Sequence, residues 1–270
     1  MNQFPRCVAL LIIVFASVSL ADTAQAAPTN ATHRVRIEGQ GAMTVVFEAG
    51  LGDTLDVWNR VQPEVARDGV RTFAYNRAGY PGSTTSEEPR DAATIVSELR
   101  EELRRQGLAP PYLLVGHSLG GLYMQYYVRT FPQEVQGLVL LDATHWDQLR
   151  QIHQQAPFMY GMLRTVSQLM HGPMRREFAD SELAGQQVAA SPAPAVSTIV
   201  LSSSRAAPGE TPAFRQLQRR LQDDIAREYN AVRHGFPVAS GHYIQRDRPQ
   251  DVIEAIRQLE HGQSSAPGTS

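Results

Sequence analysis

Lysine is missing from this 270-residue chain, and all 25 of its basic residues are arginine. That absence excludes amine chemistry: no Schiff base can form, and no P-loop lysine is available for phosphoryl transfer. Cysteine is nearly as scarce. Cys7 is the single one, and it lies in a leader expected to be removed, so the mature chain is expected to carry no disulfide, thiol nucleophile or thiolate metal site. An excess of charge of one sign is also lacking, with 25 basic against 27 acidic residues and a net charge of -2. Phosphate backbones and anionic bilayers need a positive footprint, so neither nucleic acid nor a membrane surface is expected as a partner.

Long apolar runs are confined to the front of the chain. Arg6 precedes the run Cys7 to Leu20, and Ala24-Gln25-Ala26 follows with the small-residue pattern read by signal peptidase. The run is shorter than the roughly 20 residues needed to span hydrocarbon. Residues 1–26 are therefore expected to be an export signal, which places the protein in the periplasm or outside the cell with no stable membrane anchor. Cleavage after Ala26 leaves about 244 residues, enough to bury a core without staples.

Beyond the leader, strand-like apolar runs alternate with amphipathic helix-like stretches, a pattern that predicts a mostly parallel sheet flanked by helices, an α/β fold. His33 to Glu38 and Met43 to Glu48 flank Gly39-Gln40-Gly41 and read as an edge hairpin. Val70 to Tyr75 reads as the next strand. Ala92 to Gln106 is a helix, since Ile95, Val96, Leu99 and Leu103 recur at helical spacing and Gly107 follows as a stop. Strands are expected at Tyr112 to Val115, Gln136 to Leu141 and Val196 to Leu201, with a helix at Leu119 to Thr130. From 146 to 194 methionines and aromatics appear without strand alternation, and Ser191-Pro192-Ala193-Pro194 closes the stretch. It reads as a small helical cap inserted into a core formed by 27–145 and 195–263. Its Met159, Met162, Met170 and Met174 suit core filling and pocket lining equally. Residues 264–270 read as a disordered tail.

The segment Tyr112-Leu113-Leu114-Val115-Gly116-His117-Ser118-Leu119-Gly120-Gly121 sets Gly-x-Ser-x-Gly between a buried strand and a helix. A serine at such a turn takes a strained backbone conformation that projects its hydroxyl outward, and the flanking glycines leave room for it. Ser118 is thereby presented as a nucleophile. The turn also aims the Leu119 N–H, at the positive end of the following helix, toward any oxyanion forming there.

With these residues the sequence resembles the α/β-hydrolase superfamily over nearly all of the mature chain. Phe47-Glu48-Ala49-Gly50-Leu51-Gly52, Tyr75-Asn76-Arg77-Ala78-Gly79-Tyr80-Pro81-Gly82-Ser83, the elbow itself and Ser240-Gly241-His242 carry the likeness. Ala49 stands where the family usually has histidine, and Asn76 where aspartate commonly precedes the arginine. The resemblance implies the order nucleophile, acid, histidine, and places the general base at His242 in the loop before the last helix. It also points to Leu51 as the second oxyanion N–H. Arg77 reads as a guanidinium bracing its loop, and His117 as a ring packed against the sheet.

The acid is less direct. Most of the family carries it after the strand that follows the cap, but there Ser202-Ser203-Ser204-Arg205 offers no acid until Glu210. Asp142 ends the preceding strand, 24 residues after Ser118, and a right-handed crossover would bring both strand ends to one sheet edge. Some family members resemble that arrangement. Asp142 is favoured and Glu210 stays the alternative. His145, His153 and His171 form no metal-ligand pattern.

The resemblance implies a serine hydrolase that cleaves carboxylic esters of small molecules through an acyl-enzyme without a cofactor; the leader adds export, no metal is expected, and Met159, Tyr160, Met162 and Leu163 of the cap hint at an apolar acyl chain. A serine at the elbow argues against epoxide hydrolase and haloalkane dehalogenase chemistry, in which this fold attacks with aspartate. Peptidase, lactonase, carbon-carbon hydrolase and perhydrolase activities share the same triad, and a non-hydrolytic ligand-binding protein on this fold is the alternative from another class.

Overall fold

A computed structural model describes residues 33–85 and 88–261. The expected leader and the expected tail both lie outside the described residues. Seven strands form one sheet: β1 (Val35–Glu38), β2 (Thr44–Glu48), β3 (Arg71–Tyr75), β4 (Tyr112–His117), β5 (Val135–Leu141), β6 (Ser197–Leu201) and β7 (Arg233–Gly235). Their order across the sheet is β1-β3-β2-β4-β5-β6-β7, and every pairing is parallel except the antiparallel β1–β3 edge.

The expected edge hairpin is not formed. β1 pairs with β3, Val35 opposite Tyr75, and β3 stands between β1 and β2. Gly39 explains how the chain manages this. It has φ +73°, and a Cβ there would lie 2.0 Å from the Val70 carbonyl oxygen. The linker therefore crosses against the entry to β3 instead of turning back on β1, a route a larger residue would block.

Alternation along the strands divides the core into two layers. Val46, Phe73, Leu114, Leu138, Leu140 and Val200 face one cluster, covered by α2 (Ala92–Arg105), α3 (Leu119–Thr130) and part of α7 (Pro212–Glu228). Val45, Phe47, Leu113, Val115, Val139, Leu141 and Ile199 face the other, covered by α1 (Gln62–Arg67), α8 (Ile244–Asp247) and α9 (Pro249–His261). α2 begins where Asp91 accepts the Thr94 N–H at 2.9 Å and buries Ile95, Val96, Leu99 and Leu103.

Between β5 and β6 lie α4 (Gln148–Gln155), α5 (Pro157–Ser167) and α6 (Gly172–Ala189). α6 packs along α2 and α3, so this helix joins the layer on the sheet. Gly185 permits the approach, since a Cβ there would meet the Trp146 carbonyl at 2.1 Å. α4 packs on α5 and α7. Met159 is buried in these contacts, Met170 is buried as well, and Met174 lies over the Gly52 loop.

Candidate active site

The site is built at the carboxyl ends of the central strands, where an open parallel sheet offers its crevice. β4 ends at His117, Ser118 takes φ +52° and ψ -124°, and α3 begins at the next residue. An L-residue in that region is strained. The bend is held by Ser118 N–H donating to the Leu141 carbonyl at 3.1 Å, while the Ser118 carbonyl accepts from Gly121 and Thr144 N–H, each at 2.9 Å. The glycine two residues after the serine is required by close approach: a Cβ on Gly120 would sit 2.4 Å from the Ala49 carbonyl oxygen.

Asp142 follows β5 in a second left-handed bend, φ +41°, with its N–H donating to Leu201 at 2.7 Å. Its Oδ1 accepts the Ser203 N–H at 2.9 Å, and its Oδ2 lies 2.7 Å from His242 Nδ1. His242 arrives in the loop before α8, 100 residues further on. Burial pushes the Asp142 carboxyl up, but the hydrogen bond and charge of His242 outweigh it and hold it below the ordinary value. Burial likewise works against a charged His242, but its hydrogen bond and attraction to Asp142, helped by Asp53, raise its pKa. Glu210 lines the larger of two cavities beside these residues, but its partners are others. Its carboxylate accepts the Ala207 N–H at 2.7 Å and pairs with Arg215, bracing its own loop.

Ser118 and His242 together line two cavities, of about 310 and 540 Å³. Leu51, Leu119, Trp146, Ile152, Leu163 and Phe178 give the smaller one an apolar wall. Met159 and Phe214 line the larger beside Arg205 and Arg215. Among the described residues no cluster of three or more His, Cys, Asp or Glu is arranged to hold a metal ion, and no helix is long and apolar enough to cross a membrane.

The loop after β2 is held by a buried cation. Arg77 donates to the carbonyls of Ala49 at 2.7 Å and Gly50 at 2.9 Å, to Glu48 at 2.7 Å, and through Nε and Nη2 to both oxygens of Glu177. The Gly52 N–H is taken by the Tyr80 hydroxyl at 3.0 Å, which itself donates to Glu177 at 2.8 Å. The residues on either side of Leu51 are thereby fixed. The sequence pointed to a bracing arginine but gave no sign of Glu177, which comes from α6. Asn76 fits its place because it must both accept and donate: Oδ1 receives Leu55 N–H and Nδ2 reaches the Pro81 carbonyl, each at 2.7 Å. An aspartate could not donate the second bond.

His117 and Asp53 escaped notice in the sequence as parts of the site. The buried His117 ring lies against His242, centroids 4.7 Å apart, with Nε2 at 3.0 Å from the His242 carbonyl oxygen. Asp53, one residue beyond the Gly50-Leu51-Gly52 turn, reaches the same region and lines the smaller cavity.

The profile of the alpha/beta hydrolase fold family matches residues 44–228, which spans β2 to α7 and includes the elbow and Asp142. The chain belongs to the alpha/beta hydrolase family. Its curated relatives include YqjL of Bacillus subtilis (strain 168), an uncharacterized protein, 34% identical over 112 residues that make up 42% of this chain and 44% of the relative. The match thus spans less than half of that relative's length. Among solved structures, a thermophilic esterase from Thermogutta terrifontis superposes with a TM-score of 0.61 at 16% identity, covering 85% of this chain and 93% of that one. An epoxide hydrolase from Bacillus megaterium superposes with a TM-score of 0.60 at 15% identity, covering 85% and 96%. At such identities the likeness carries the hydrolase fold and leaves the reaction to the site residues.

Proposed function

We propose that this hydrolase cleaves carboxylic esters by acyl transfer to water, with Ser118 as nucleophile, His242 as general base and acid, and Asp142 as the carboxylate that orients the imidazole. The observation that carries the reading is the 2.7 Å contact between Asp142 Oδ2 and His242 Nδ1 beside a cavity that Ser118 also lines. With Nδ1–H committed to Asp142, Nε2 is the nitrogen free to take the serine proton. Ser118 Oγ attacks the carbonyl carbon, and the N–H groups of Leu51 and Leu119 stabilise the oxyanion. His242 returns the proton to the departing alcohol, then activates the water that releases the acid. Glu210 has no part in this scheme, and no cofactor is used.

The elbow residue separates this reading from epoxide opening: a serine attacking an epoxide carbon would form an ether that water cannot cleave, whereas its attack on an ester carbonyl forms an acyl ester that water resolves. The apolar wall of the smaller cavity suits an apolar acyl chain. Export rests on the Cys7 to Leu20 run and Ala24-Gln25-Ala26, and belongs to the same proposal.

A fluorophosphonate probe and a chain-length series of nitrophenyl esters test the activity together. Labelling and turnover should both vanish in Ser118→Ala, with the melting temperature nearly unchanged. A wild-type protein that is inert to the probe but binds ligand tightly would be a carrier instead.

A further inference from the structure

The tautomer of His117 follows from its partner. Nε2 faces the carbonyl oxygen of His242 at 3.0 Å, and a carbonyl accepts only, so Nε2 carries hydrogen. In the neutral ring Nδ1 is then a bare acceptor. What it meets is Asp53 Oδ2 at 3.7 Å. Both atoms are shut off from solvent, and neither has another hydrogen-bond partner among the described residues. Two bare acceptors facing each other in a dry site leave both unsatisfied, an arrangement that costs free energy twice over. A single proton between them removes both penalties, and a shift of about 1 Å brings the pair to hydrogen-bond length.

Resting on the esterase reading, we propose that Asp53 and His117 share one proton between Oδ2 and Nδ1 and act as positioning residues for the general base, His242. The hydrogen bond continues through His117 Nε2–H to the His242 carbonyl, so the base is held at two points: its ring by Asp142 and its backbone by His117. The same pair binds three segments together. Asp53 sits beside the Leu51 turn, His117 precedes Ser118, and His242 comes from the distant loop. The space over Gly50 shows the convergence, since a Cβ placed there would lie 2.9 Å from His117 Nδ1, 3.1 Å from Asp53 Oδ2 and 3.2 Å from Ser118 Cβ.

The surrounding groups are consistent with one proton, held on the Asp53 side. Burial pushes the Asp53 carboxyl up, and burial together with His242 pushes the His117 imidazole down. Arg246 from α8 opposes this at 3.5 Å from Asp53 Oδ1, and the Tyr243 hydroxyl lies against the same carboxylate. On the other side His117 faces the rings of His242 and Tyr243, centroids 4.7 and 5.0 Å away, with Asp142 and Arg246 beyond.

Nitrogen-15 spectra of histidine-labelled wild-type protein test the shared proton without calling on activity. His117 should show a protonated Nε2 and a hydrogen-bonded, unprotonated Nδ1, unchanged from about pH 5 to about pH 8 while His242 titrates. A His117 that titrates freely, or that is protonated at Nδ1 with a bare Nε2, overturns the proposal. The kinetic arm compares Asp53→Leu with Asp53→Asn on a nitrophenyl ester. Leu removes the donor and should lower kcat about 100-fold with KM little changed, the effect of a misplaced base. Asn keeps an N–H for Nδ1 and should restore most of that loss. Equal loss in both variants would assign the effect to the carboxylate charge, and a Leu variant with wild-type kcat would remove the positioning role; either overturns the proposal. A wild-type protein with no turnover would sink the esterase reading, and the spectra would then decide the shared proton by themselves.

Discussion

Asp142 Oδ2 and His242 Nδ1 meet at 2.7 Å, while the other oxygen of the same carboxylate is fixed by the Ser203 N–H at 2.9 Å. The segment just after β6 therefore supplies a backbone donor to Asp142, which itself follows directly on β5. Asp142→Asn should lower kcat by about 10^4, because the amide can donate to Nδ1 and so favours the wrong imidazole tautomer. Glu210→Gln, which loosens only the Ala207 and Arg215 contacts, should leave kcat close to wild type. Steady-state kinetics on one ester rank the two, and the opposite ranking would move the acid to Glu210.

The pH dependence follows from the same contact. His242 is raised above its ordinary value of 6.5, and the general base proposed for it works only when neutral. The acid limb of kcat/KM should therefore have its midpoint above 6.5. For stability the signs run in opposite directions. A raised histidine contributes below its unfolded pKa and loses that contribution as pH climbs through the folded one. A depressed Asp142 contributes above its ordinary 3.8 and loses that as pH falls through the folded value. The melting-temperature gap between wild type and Asp142→Asn should thus be widest between pH 3.8 and 6.5. A gap that keeps growing toward alkaline pH would contradict the assignment.

Arg77 is fully enclosed by Glu48, Glu177 and two carbonyls. Arg77→Met leaves two buried carboxylates without their cation, a change that should cost about 3–5 kcal/mol in urea unfolding. Glu177→Gln keeps the shape and one acceptor and should cost less. If Met unfolds no more easily than Gln, the brace is not electrostatic.

Gly120 and Gly107 make a matched pair. A Cβ on Gly120 collides with the backbone of Ala49 and Glu48 at 2.4 and 2.5 Å, whereas Gly107, at φ +67°, opens on empty space. Gly107→Ala should cost about 1 kcal/mol from left-handed strain alone. Gly120→Ala pushes α3 away from β2 and should cost about 1–3 kcal/mol, with a loss of probe labelling at Ser118 that Gly107→Ala does not show.

Elements whose cause is local were legible in the chain. α3 spans Leu119 to Thr130 as its spacing predicts, α2 falls one residue short of the expected end, and the strand–Ser118–helix turn lies within ten consecutive residues. Periodicity and glycine placement specify such features without help from the rest of the molecule. The β1–β2 hairpin failed for the opposite reason: two strands joined by glycines can turn back or cross, and pairing with β3 decided between them. The contact of His242 with Asp142, the clasp of Arg77 by Glu177 and the meeting of Asp53 with His117 each join residues 64 to 100 positions apart. No local pattern encodes them, because they exist only once the sheet order has brought strand ends, loops and α6 to one edge. The sequence determined where a nucleophile could be displayed; the packing of distant segments decided what surrounds it.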